Sequence, residues 1–365
     1  MPQHKSILIM AGGTGGHVYP ALAVADYLRD QGVAVFWLGT KSGLESRIVP
    51  DNDYSLLTIT VTGLRGKGII RWLLAPFMLA IAVIQALFII IRIKPGAVLG
   101  MGGFASGPGG IAAWILRVPL FIHEQNSIAG LTNRLLAPLA KAVMQGFPGT
   151  FKQTDRLHTT GNPVRAELIE LPGPEQRWAE RGQDDVMHLL ILGGSLGART
   201  LNLTFPAVFQ HLKKNIDIEV WHQTGQRNLD ETKQRYADVK VTGQVRIAAF
   251  IDDMAEAYQW ADLVLCRAGA LTIAELCVVG VASILVPFPH AVDDHQLTNA
   301  RHLSDNGCAV LIPESELQEK WLATLLSEFH KARRRLLDMA EKARQLACPD
   351  ATREVGDICL EALHA

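Results

Sequence analysis

Three short segments of this 365-residue chain combine residue types that bind anions and move protons. The first is the turn AGGTGGH, which ends at His17, and the second is HEQN, which begins at His123. The third is RAGALTIAE, which ends at a carboxylate, Glu275. Imidazole and carboxylate groups serve as general bases, and glycine turns expose backbone N–H groups to anions. These segments are therefore the first candidates for a catalytic or binding site.

The turn before His17 matches neither common nucleotide-binding template. A dinucleotide fingerprint has a third glycine where this chain has Val18, and it needs an acidic residue near the end of the second strand, which reads FWLGT at 36–40. A P-loop ends in Gly-Lys-Ser/Thr, whereas GLRGKG, 63–68, continues with glycine. What remains is a turn at the positive end of a helix, suited to an anion or a hydroxyl-rich ligand, or a turn needed only for packing.

The segment around Glu275 predicts a nucleotide-binding site in the second half of the chain. Gly269–Thr272 opens a helix, and its N–H groups suit a pyrophosphate. Glu275 lies about one turn into that helix, where a carboxylate either accepts two hydrogen bonds from a ribose diol or is simply a helix-start acid favoured by the dipole. The loop VPFPHAVDDHQLTNA, 286–300, suits sugar hydroxyls, unless it is only a solvated loop.

Apolar runs that alternate with helical segments must position these residues. This alternation predicts an α/β fold with parallel sheets. The predicted strands are 7–11, 34–38, 97–99, 120–122, 142–144, 189–192, 218–221, 263–266, 283–286 and 310–312. ILIMAGGTGGH (7–17) is echoed by LLILGGSLGAR (189–199), which indicates two similar halves, and a third glycine cluster spans 100–110. Because ligands of open α/β sheets bind beyond the carboxyl ends of the strands, we expect a cleft between two domains.

The composition excludes several classes of protein. The length favours two domains, and the polar stretch 171–185 predicts a junction. The five cysteines form no close pair, which argues against a disulfide framework or a cysteine zinc site and fits a reducing cytoplasm. The N-terminal apolar run is too short for a signal peptide. DND, 51–53, follows Pro50 in a polar turn and no other ligand cluster is evident, so we expect no metal and no cofactor.

The first half of the chain carries the features of a membrane-surface protein. Residues 1–160 contain 14 Lys and Arg against 7 Asp and Glu, a net charge of +7, whereas the remainder has −8. The segment 69–93 is long and apolar enough to span a bilayer. Spanning would divide one sheet, so the segment is either a buried crossover helix or, as we favour, a helix broken near Pro76 that lies on the membrane. The positive charge favours an anionic surface.

Nine motifs in order over nearly the whole chain carry a family resemblance. They are AGGTGGH, GLRGKG, GMGGFASGPGG, HEQN, GNPVR, GGSLGAR, FIDDM, RAGALTIAE and DDHQLTNA. With them the chain resembles the MurG family of N-acetylglucosaminyltransferases. The resemblance implies a GT-B fold, in which two Rossmann-like parallel-sheet domains face each other across a cleft. It also implies inverting transfer of N-acetylglucosamine from UDP-GlcNAc to the 4-hydroxyl of the muramoyl-pentapeptide of undecaprenyl-diphosphate lipid I, giving lipid II in peptidoglycan synthesis.

The resemblance further implies a division of the chain. Residues 1–164 would form an acceptor and membrane-docking domain, 165–345 a UDP-GlcNAc donor domain, and 346–365 a C-terminal helix that crosses back to the first domain. The enzyme would work on the cytoplasmic face of the bacterial inner membrane, as a peripheral protein. Its partners would be the donor, the lipid-linked acceptor, an anionic membrane surface and cell-wall synthesis enzymes, with no nucleic acid.

The resemblance also implies residue roles. His17 becomes the candidate catalytic base, while the residues alone leave His123 and Glu124 as rivals. Arg165 and Ser195 would contact the diphosphate, Ile251 uracil through its backbone, Glu275 the ribose and Gln296 the GlcNAc hydroxyls. The remaining implied substrate-binding residues are Thr14, Gly15, Gly16 and Asn126 on the sugar and acceptor side, and Ala270, Leu271, Thr272, Ile273 and Ala274 at the helix start. The chain departs from the pattern at His295, where some relatives have Gln, and at Ala268, where Ser is usual.

Three other functions remain open from the sequence. One is another UDP-sugar transferase of the same fold that acts on a membrane lipid. Another is an oxidoreductase with two Rossmann domains, which the missing ribose carboxylate disfavours. The third is a non-catalytic membrane-bound scaffold for cell-wall enzymes, which would retain the apolar helix but would not need Glu275 or His17.

Overall fold

The computed structural model describes residues 5–61, 69–181, 186–194, 197–212, 216–239, 244–291 and 294–364. In this part of the chain the strands are β1 (Ser6–Met10), β2 (Ala34–Gly39), β3 (Ser55–Thr58), β4 (Ala97–Gly100), β5 (Leu120–Glu124), β6 (Ala142–Gln145), β7 (Leu157–Thr159), β8 (Met187–Leu192), β9 (Ile218–Gln223), β10 (Val245–Ala248), β11 (Leu263–Cys266), β12 (Ala282–Leu285) and β13 (Ala309–Leu311). The helices are α1 (Gly15–Asp30), α2 (Glu45–Asp51), α3 (Ile69–Ile93), α4 (Ser106–Ile115), α5 (Leu131–Leu136), α6 (Ala166–Ile169), α7 (Pro174–Arg181), α8 (Arg199–Val208), α9 (Leu229–Asp238), α10 (Met254–Trp260), α11 (Ala270–Val279), α12 (His295–Ser304), α13 (Glu319–Lys331), α14 (Arg333–Gln345) and α15 (Ala351–His364).

The chain divides into two compact units. The first comprises Met1–Arg165 together with Pro349–Ala365, and the second comprises Ala166–Cys348. Each unit contains one parallel sheet, so the predicted α/β architecture with two parallel sheets is confirmed.

The first unit is built on a sheet with the strand order β3-β2-β1-β4-β5-β6-β7 within the described residues. Its core has two parts, one on each face of the sheet: α1 and α15 contribute to one, and α3 and α4 to the other. Every residue of β1 is buried as a result. Burial on both faces explains why the central parallel strands read as continuous apolar runs.

The helix α15 is an integral part of the first unit although it comes last in the chain. Its residues Val355 and Cys359 are fully buried in the core that also contains α1. The hydroxyl of Tyr27, on α1, donates to Asp357 Oδ1 at 2.6 Å. A Cβ atom on Gly356 would collide with the Tyr27 ring, so the close approach of the two helices requires glycine there.

The second unit is built on a sheet with the order β10-β9-β8-β11-β12-β13 in the described part of the chain. In both sheets the winding reverses at the first strand of the unit, between β1 and β4 and between β8 and β11. Loops on the two sides of such a reversal diverge and leave a crevice at the carboxyl ends of the strands, where ligands of these folds bind. The glycine-rich segments follow β1, β4 and β8, and the RAG segment follows β11, so the fold places each of them beside such a reversal.

The helix α3 differs from its sequence-based prediction. We expected a break near Pro76, but the described backbone continues as one helix through it. The only interior hydrogen bond that proline necessarily removes is its own, back to residue 72. Ala82, Ala86 and Ile90 on the same helix are buried against the sheet at a spacing of four residues, and this packing favours one continuous element.

Candidate active site

A buried carboxylate shapes the turn between β1 and α1. Gly13 adopts a positive φ of 87°, and its N–H donates to Glu45 Oε2 at 2.8 Å. Glu45 is only 1% exposed and also accepts hydrogen bonds from the N–H and the hydroxyl of Thr40, at 2.9 and 2.7 Å. On the other side of the turn, Trp37 Nε1 donates to the Ala11 carbonyl at 2.8 Å. The backbone of the turn is thus held from both sides.

His17 lies in the first turn of α1, directly after Thr14, Gly15 and Gly16. The half-buried ring has its Nδ1 3.2 Å from the carbonyl oxygen of Gly12 and 3.5 Å from Thr14 Oγ1. A carbonyl oxygen can only accept, so in this contact Nδ1 carries the hydrogen and donates it to Gly12. In the neutral ring of that tautomer, Nε2 is the basic nitrogen.

The loop between β4 and α4 lies against this turn, backbone to backbone. Gly102 and Gly103 both have positive φ, 100° and 89°. A Cβ atom on Gly102 would lie 2.7 Å from Cδ2 of His17, and one on Gly103 would overlap the Gly12 carbonyl. Glycine is therefore required at both positions by conformation and by space, and the cluster at 100–110 forms one wall around the histidine.

Glu124 organises the loop that follows β5. The carboxylate is buried and accepts hydrogen bonds from the N–H and the side-chain amide of Asn126, at 3.0 and 3.2 Å. It also accepts from the Gly130 N–H at 3.0 Å and from Asn133 Nδ2 at 2.9 Å. Four donors around one carboxylate are the usual arrangement for a group that fixes a loop.

His123 is buried completely and both ring nitrogens are used inside the fold. Nε2 donates to the Gly161 carbonyl at 2.9 Å, and Nδ1 accepts from Gln125 Nε2 at 3.2 Å. Burial lowers the pKa of this histidine to about 4, so the ring is neutral near pH 7. Gln125 Nε2 also donates to the Met101 carbonyl at 2.9 Å, which ties the HEQN segment to the loop around Gly102.

Arg165 is the last residue of the first unit before the chain enters the second. Its guanidinium carbon lies 6.0 Å from the centroid of the Tyr19 ring on α1. The same ring borders Gly15, where a Cβ atom would approach it to 3.1 Å. The positive charge of Arg165 therefore lies beside the first two turns of α1.

In the second unit, the loop after β8 is also made of close glycine contacts. Gly194 and Gly197 have positive φ, and a Cβ atom on Gly197 would overlap the Thr224 carbonyl. Ser195, which we predicted to contact the diphosphate, lies outside the described residues. Beneath the loop, Asn202 Nδ2 donates to the same Thr224 carbonyl at 2.8 Å.

A buried histidine supports this loop. His222 Nε2 lies 2.9 Å from Asn202 Oδ1, and its Nδ1 lies 2.9 Å from the Tyr236 hydroxyl. The Asn202 oxygen accepts and the Tyr236 hydroxyl donates, so the hydrogen of the ring is on Nε2. Burial lowers the pKa of His222 to about 3, which keeps the ring neutral in this network.

The helix α11 begins directly after the RAG segment. Its residues Ala270, Leu271 and Thr272 precede the first residue whose N–H donates within the helix, Ile273, which bonds to the Gly269 carbonyl at 2.9 Å. Their N–H groups therefore form the positive end of a ten-residue helix. Ala274 follows in the same turn and is half-buried.

Glu275 is 7% exposed in the second turn of α11. Its Oε2 accepts a hydrogen bond from the hydroxyl of Tyr258, at 3.0 Å. Tyr258 lies on α10 and is completely buried, so it fixes the carboxylate from behind.

Glutamine side chains form hydrogen bonds at two further positions that we predicted to bind the sugar donor, Ile251 and Gln296. The Ile251 N–H donates to Gln223 Oε1 at 3.1 Å, which joins the segment after β10 to the end of β9. Gln296, in the first turn of α12, accepts from the Phe288 N–H at 2.9 Å through its Oε1. Its neighbour His295 begins that helix. Gln296 thus folds back onto the loop after β12.

Arg267 stabilises the start of the same region. Its Nη1 donates to the carbonyls of Val286 and Pro287, at 3.1 and 3.3 Å, and Nη2 forms an ion pair with Glu314. The Ala268 carbonyl accepts from Asn299 Nδ2 at 3.2 Å. The RAG segment is therefore connected to the loop after β12 and to α12.

Most of the predicted residues that the structure describes follow the carboxyl ends of strands in the same part of each sheet. In the first unit they follow β1 and β5, on the two sides of β4, with Arg165 after β7, and in the second they follow β10, β11 and β12. Three groups that hold them, Glu45, Gln223 and Tyr258, were not predicted from the sequence. A signal for Glu45 was present, since GTKSGLE places glycines at 39 and 43 around a carboxylate, and both would collide with it if they carried a Cβ atom.

The outer surface of α3 is apolar. Phe77 and Phe88 are each 70% exposed, and Ile81, Ile84 and Ile91 are about half exposed. By length and composition alone, Leu74–Ile93 would suffice to cross a membrane. Only 17% of its most apolar stretch is buried inside the protein. Arg65 and Lys67, which precede this helix, and the side chain of Trp72 lie outside the described part. Asp51 and Asp53 of the DND motif are exposed, and the described residues contain no group of three or more potential metal ligands.

Comparison with known families gives the same result for both halves of the chain. Residues 7–145 match the glycosyltransferase family 28 N-terminal domain, and residues 188–355 match the glycosyltransferase family 28 C-terminal domain.

Full-length relatives carry one functional description. The chain is 52% identical to a protein of Coxiella burnetii over 349 residues, 96% of each chain, and 49% identical to one of Marinobacter nauticus over 360 residues, 99% of this chain and 98% of that one. Both are described as UDP-N-acetylglucosamine–N-acetylmuramyl-(pentapeptide) pyrophosphoryl-undecaprenol N-acetylglucosamine transferase. The crystal structure of Acinetobacter baumannii MurG is similar with a TM-score of 0.84 and 42% identity, over 98% of this chain and 99% of that one.

Proposed function

The chain belongs to glycosyltransferase family 28, and from that premise we propose that it transfers N-acetylglucosamine from UDP-GlcNAc to the 4-hydroxyl of the muramoyl-pentapeptide of lipid I. The product is lipid II, and the reaction belongs to peptidoglycan synthesis. The observation that carries this function is the identity of about half of all residues over nearly the full length to relatives described by this activity.

The second unit binds the donor in this proposal. The N–H groups of Ala270, Leu271 and Thr272 face the diphosphate at the positive end of α11, where a helix terminus stabilises the charge that develops on the leaving group. Glu275 accepts hydrogen bonds from the ribose diol, and Tyr258 keeps its carboxylate in place. The backbone of Ile251 contacts the uracil. Gln296, together with the loop after β12, forms hydrogen bonds with the sugar hydroxyls.

The first unit supplies the base. His17 receives the proton of the acceptor hydroxyl on Nε2, the hydroxyl oxygen forms the new bond to the anomeric carbon, and the bond from that carbon to the UDP oxygen breaks. One such displacement inverts the anomeric carbon. The hydrogen bond from Nδ1 to Gly12 keeps the ring in the tautomer that this step needs.

The acceptor and the transferred sugar lie along the same turn in this proposal. Thr14, Gly15 and Gly16 offer a side-chain hydroxyl and closely approachable backbone, and Asn126 is presented by the loop that Glu124 holds. Glu124 is the first alternative base if His17 is not. Arg165 adds a positive charge beside α1 for the diphosphate region.

The outer surface of α3 docks on the anionic leaflet where the acceptor resides. Apolar side chains such as Phe77 and Phe88 enter the interface, and Arg92 and Lys94 follow at the end of the helix. Each basic residue near an anionic surface contributes about 1 kcal/mol. The protein is therefore peripheral, on the cytoplasmic face of the inner membrane. Cell-wall synthesis enzymes are its proposed protein partners.

A transfer assay with labelled UDP-GlcNAc and a lipid I analogue tests this function directly. Formation of a β-linked disaccharide product with release of UDP is expected, without added cofactor. An oxidoreductase would instead require a nicotinamide cofactor, and a scaffold would bind membranes without turnover. Transfer to a different membrane lipid in preference to the lipid I analogue would replace the proposed acceptor.

A further inference from the structure

One peptide unit lies between a buried carboxylate and the candidate base. The N–H of the Gly12–Gly13 peptide belongs to Gly13 and donates to Glu45 Oε2 at 2.8 Å. The carbonyl of the same peptide belongs to Gly12 and accepts from His17 Nδ1 at 3.2 Å. Glu45, the peptide and the imidazole thus form a continuous row of hydrogen bonds.

The surroundings of Glu45 leave room for a carboxylate and for little else. Cβ atoms on Gly12, Gly39 or Gly43 would all overlap with its side chain. The acid is almost entirely out of solvent and accepts hydrogen bonds from the Gly13 N–H and from the N–H and hydroxyl of Thr40. A buried charge with so specific an environment is expensive to retain for packing alone.

We propose that Glu45 is the positioning residue of His17, acting through the Gly12–Gly13 peptide. This inference rests on the proposed function, in which His17 is the base. The arrangement corresponds to the carboxylate that orients a catalytic histidine in hydrolytic triads, with a peptide unit inserted between the two side chains.

The physical effect has two parts. A negative charge that accepts from a peptide N–H polarises that peptide, so its carbonyl becomes a stronger acceptor for the Nδ1–H of His17. This keeps the hydrogen on Nδ1 and leaves Nε2 to take the proton from the acceptor hydroxyl. The same charge stabilises the imidazolium that forms when Nε2 has taken that proton.

Other ionisable groups around the pair are less suited to this role. Lys41, Arg47 and Asp51 are exposed, on or next to α2. The loop after β4, MGGFAS at 101–106, carries no ionisable side chain. Further ionisable groups lie on α1, at the end of β5 and where the chain leaves the first unit. They are Tyr19, Asp26, Tyr27, Arg29, Asp30, His123, Glu124 and Arg165. Among these, Asp26 pairs with Arg29, and Glu124 holds its own loop.

The test is the pH profile of kcat for Glu45→Gln, which keeps the size of the side chain and removes the charge. We expect the apparent pKa of the acidic limb to fall by about one unit. The plateau of kcat should fall about tenfold because the base is weaker and its tautomer less fixed. KM for UDP-GlcNAc should stay within about twofold, since the donor contacts in the second unit are untouched.

A matched variant separates positioning from structure. Thr40→Val removes one hydrogen bond to the same carboxylate but leaves its charge and its bond to Gly13. It should lower thermal stability while the acidic limb stays at the wild-type pH. An identical acidic limb in wild type and in folded Glu45→Gln would overturn the inference, and so would equal shifts in both variants.

Two measurements distinguish this inference from the proposed function and do not depend on Glu45→Gln folding. The 15N chemical shifts of His17 in the wild-type protein, assigned with His17→Gln, should report the hydrogen on Nδ1. Hydrogen on Nε2 would overturn the role of Glu45 even if His17→Gln is inactive and the base assignment stands. Near-normal turnover of His17→Gln would instead refute the base assignment itself, and the inference with it.

Discussion

The two units use the same strand–glycine–helix design in different ways. In the first unit, the carboxylate next to the turn, Glu45, accepts hydrogen bonds from backbone and threonine donors, and the proposed base His17 lies at the start of α1. In the second, the carboxylate Glu275 is on the helix that follows the turn, fixed from behind by Tyr258. The role of an acid near a glycine turn therefore follows from its hydrogen-bond donors: Glu45 shapes the loop, whereas Glu275 is held by Tyr258 on the helix that follows the loop.

The histidines show a parallel contrast. His123 and His222 both occupy the penultimate position of a strand, are completely buried, and carry their hydrogen on Nε2. His17 is half-buried at a helix start and donates from Nδ1. The basic nitrogen of the two buried rings is therefore Nδ1, which accepts from Gln125 or Tyr236, whereas in His17 it is Nε2.

The largest expected effect comes from removing the base. His17→Ala should reduce kcat about 10²- to 10⁴-fold, the range for loss of a general base. UDP affinity, measured by calorimetry, should change little, because the proposed uracil and ribose contacts are in the other unit and the diphosphate contact of the first unit, Arg165, is retained. If turnover with a lipid I analogue stays near normal, the base lies elsewhere and Glu124→Gln becomes the next variant to measure.

The donor side of the comparison is tested by Glu275→Ala. Loss of two charge-assisted hydrogen bonds to the ribose should weaken UDP binding by about 2–4 kcal/mol. Tyr258→Phe is the matched control, because it removes the hydroxyl that supports the carboxylate and keeps the charge. It should weaken binding less than Glu275→Ala does. Unchanged UDP affinity in folded Glu275→Ala would refute the ribose assignment.

The next effect concerns the exposed apolar face of α3 in the first unit. The double variant Phe77→Ser and Phe88→Ser should reduce partitioning onto phosphatidylglycerol-containing vesicles at least about tenfold, since burying one such side chain contributes about 1.5–3 kcal/mol. High salt should weaken wild-type binding without abolishing it, because the basic residues contribute only part of the affinity.

The control for this experiment is Trp321→Ser, which alters an exposed aromatic residue of the second unit. It should sediment like the wild type, and UDP binding should be intact in all variants. If the double variant still sediments like the wild type, or if the wild type ignores vesicles, the exposed face of α3 does not dock on membranes.

The sequence predicted the strands that are completely buried, and it failed for three strands at the edges of the sheets. All ten apolar runs correspond to strands, whereas β3, β7 and β10 were missed, and each of these is at the edge of its sheet. Edge strands such as β7, with the residues LHT, are only partly buried and so lack a continuous apolar run.

The candidate site shows the same dependence on local pattern. Residues in glycine-rich or strongly polar motifs could be predicted as candidates because the composition of these motifs is unusual. Glu45 and Gln223 were missed, because their roles depend on which backbone N–H groups the fold brings to them, at sequence separations of 32 and 28 residues. The glycines of GTKSGLE indicate a close approach to Glu45, but no local pattern identifies the donors that the fold brings to either side chain.

The smallest effect tests the buried histidines. The folded-state pKa of His123, about 4, is below its ordinary value of 6.5, so the unfolded chain binds a proton more readily. The stabilisation from the neutral ring is complete above pH 6.5 and is lost as the pH falls from 6.5 towards 4. Between pH 7 and pH 5, the free energy of unfolding should fall by about 2 kcal/mol from this group. Because the pKa of His222 is about 3, this residue should also lower the free energy of unfolding as the pH falls, over a wider pH range.

Native-state hydrogen exchange can follow the two units separately, through peptides that cover β5 and β9. His123→Gln, which retains an amide donor for Gly161, should flatten the pH dependence of exchange in β5 and leave that in β9 unchanged. His222→Gln should do the reverse. If each wild-type peptide shows no loss of protection between pH 7 and pH 5, these histidines are not kept neutral by burial. If one variant flattens the pH dependence of both peptides, the two units unfold in one cooperative step.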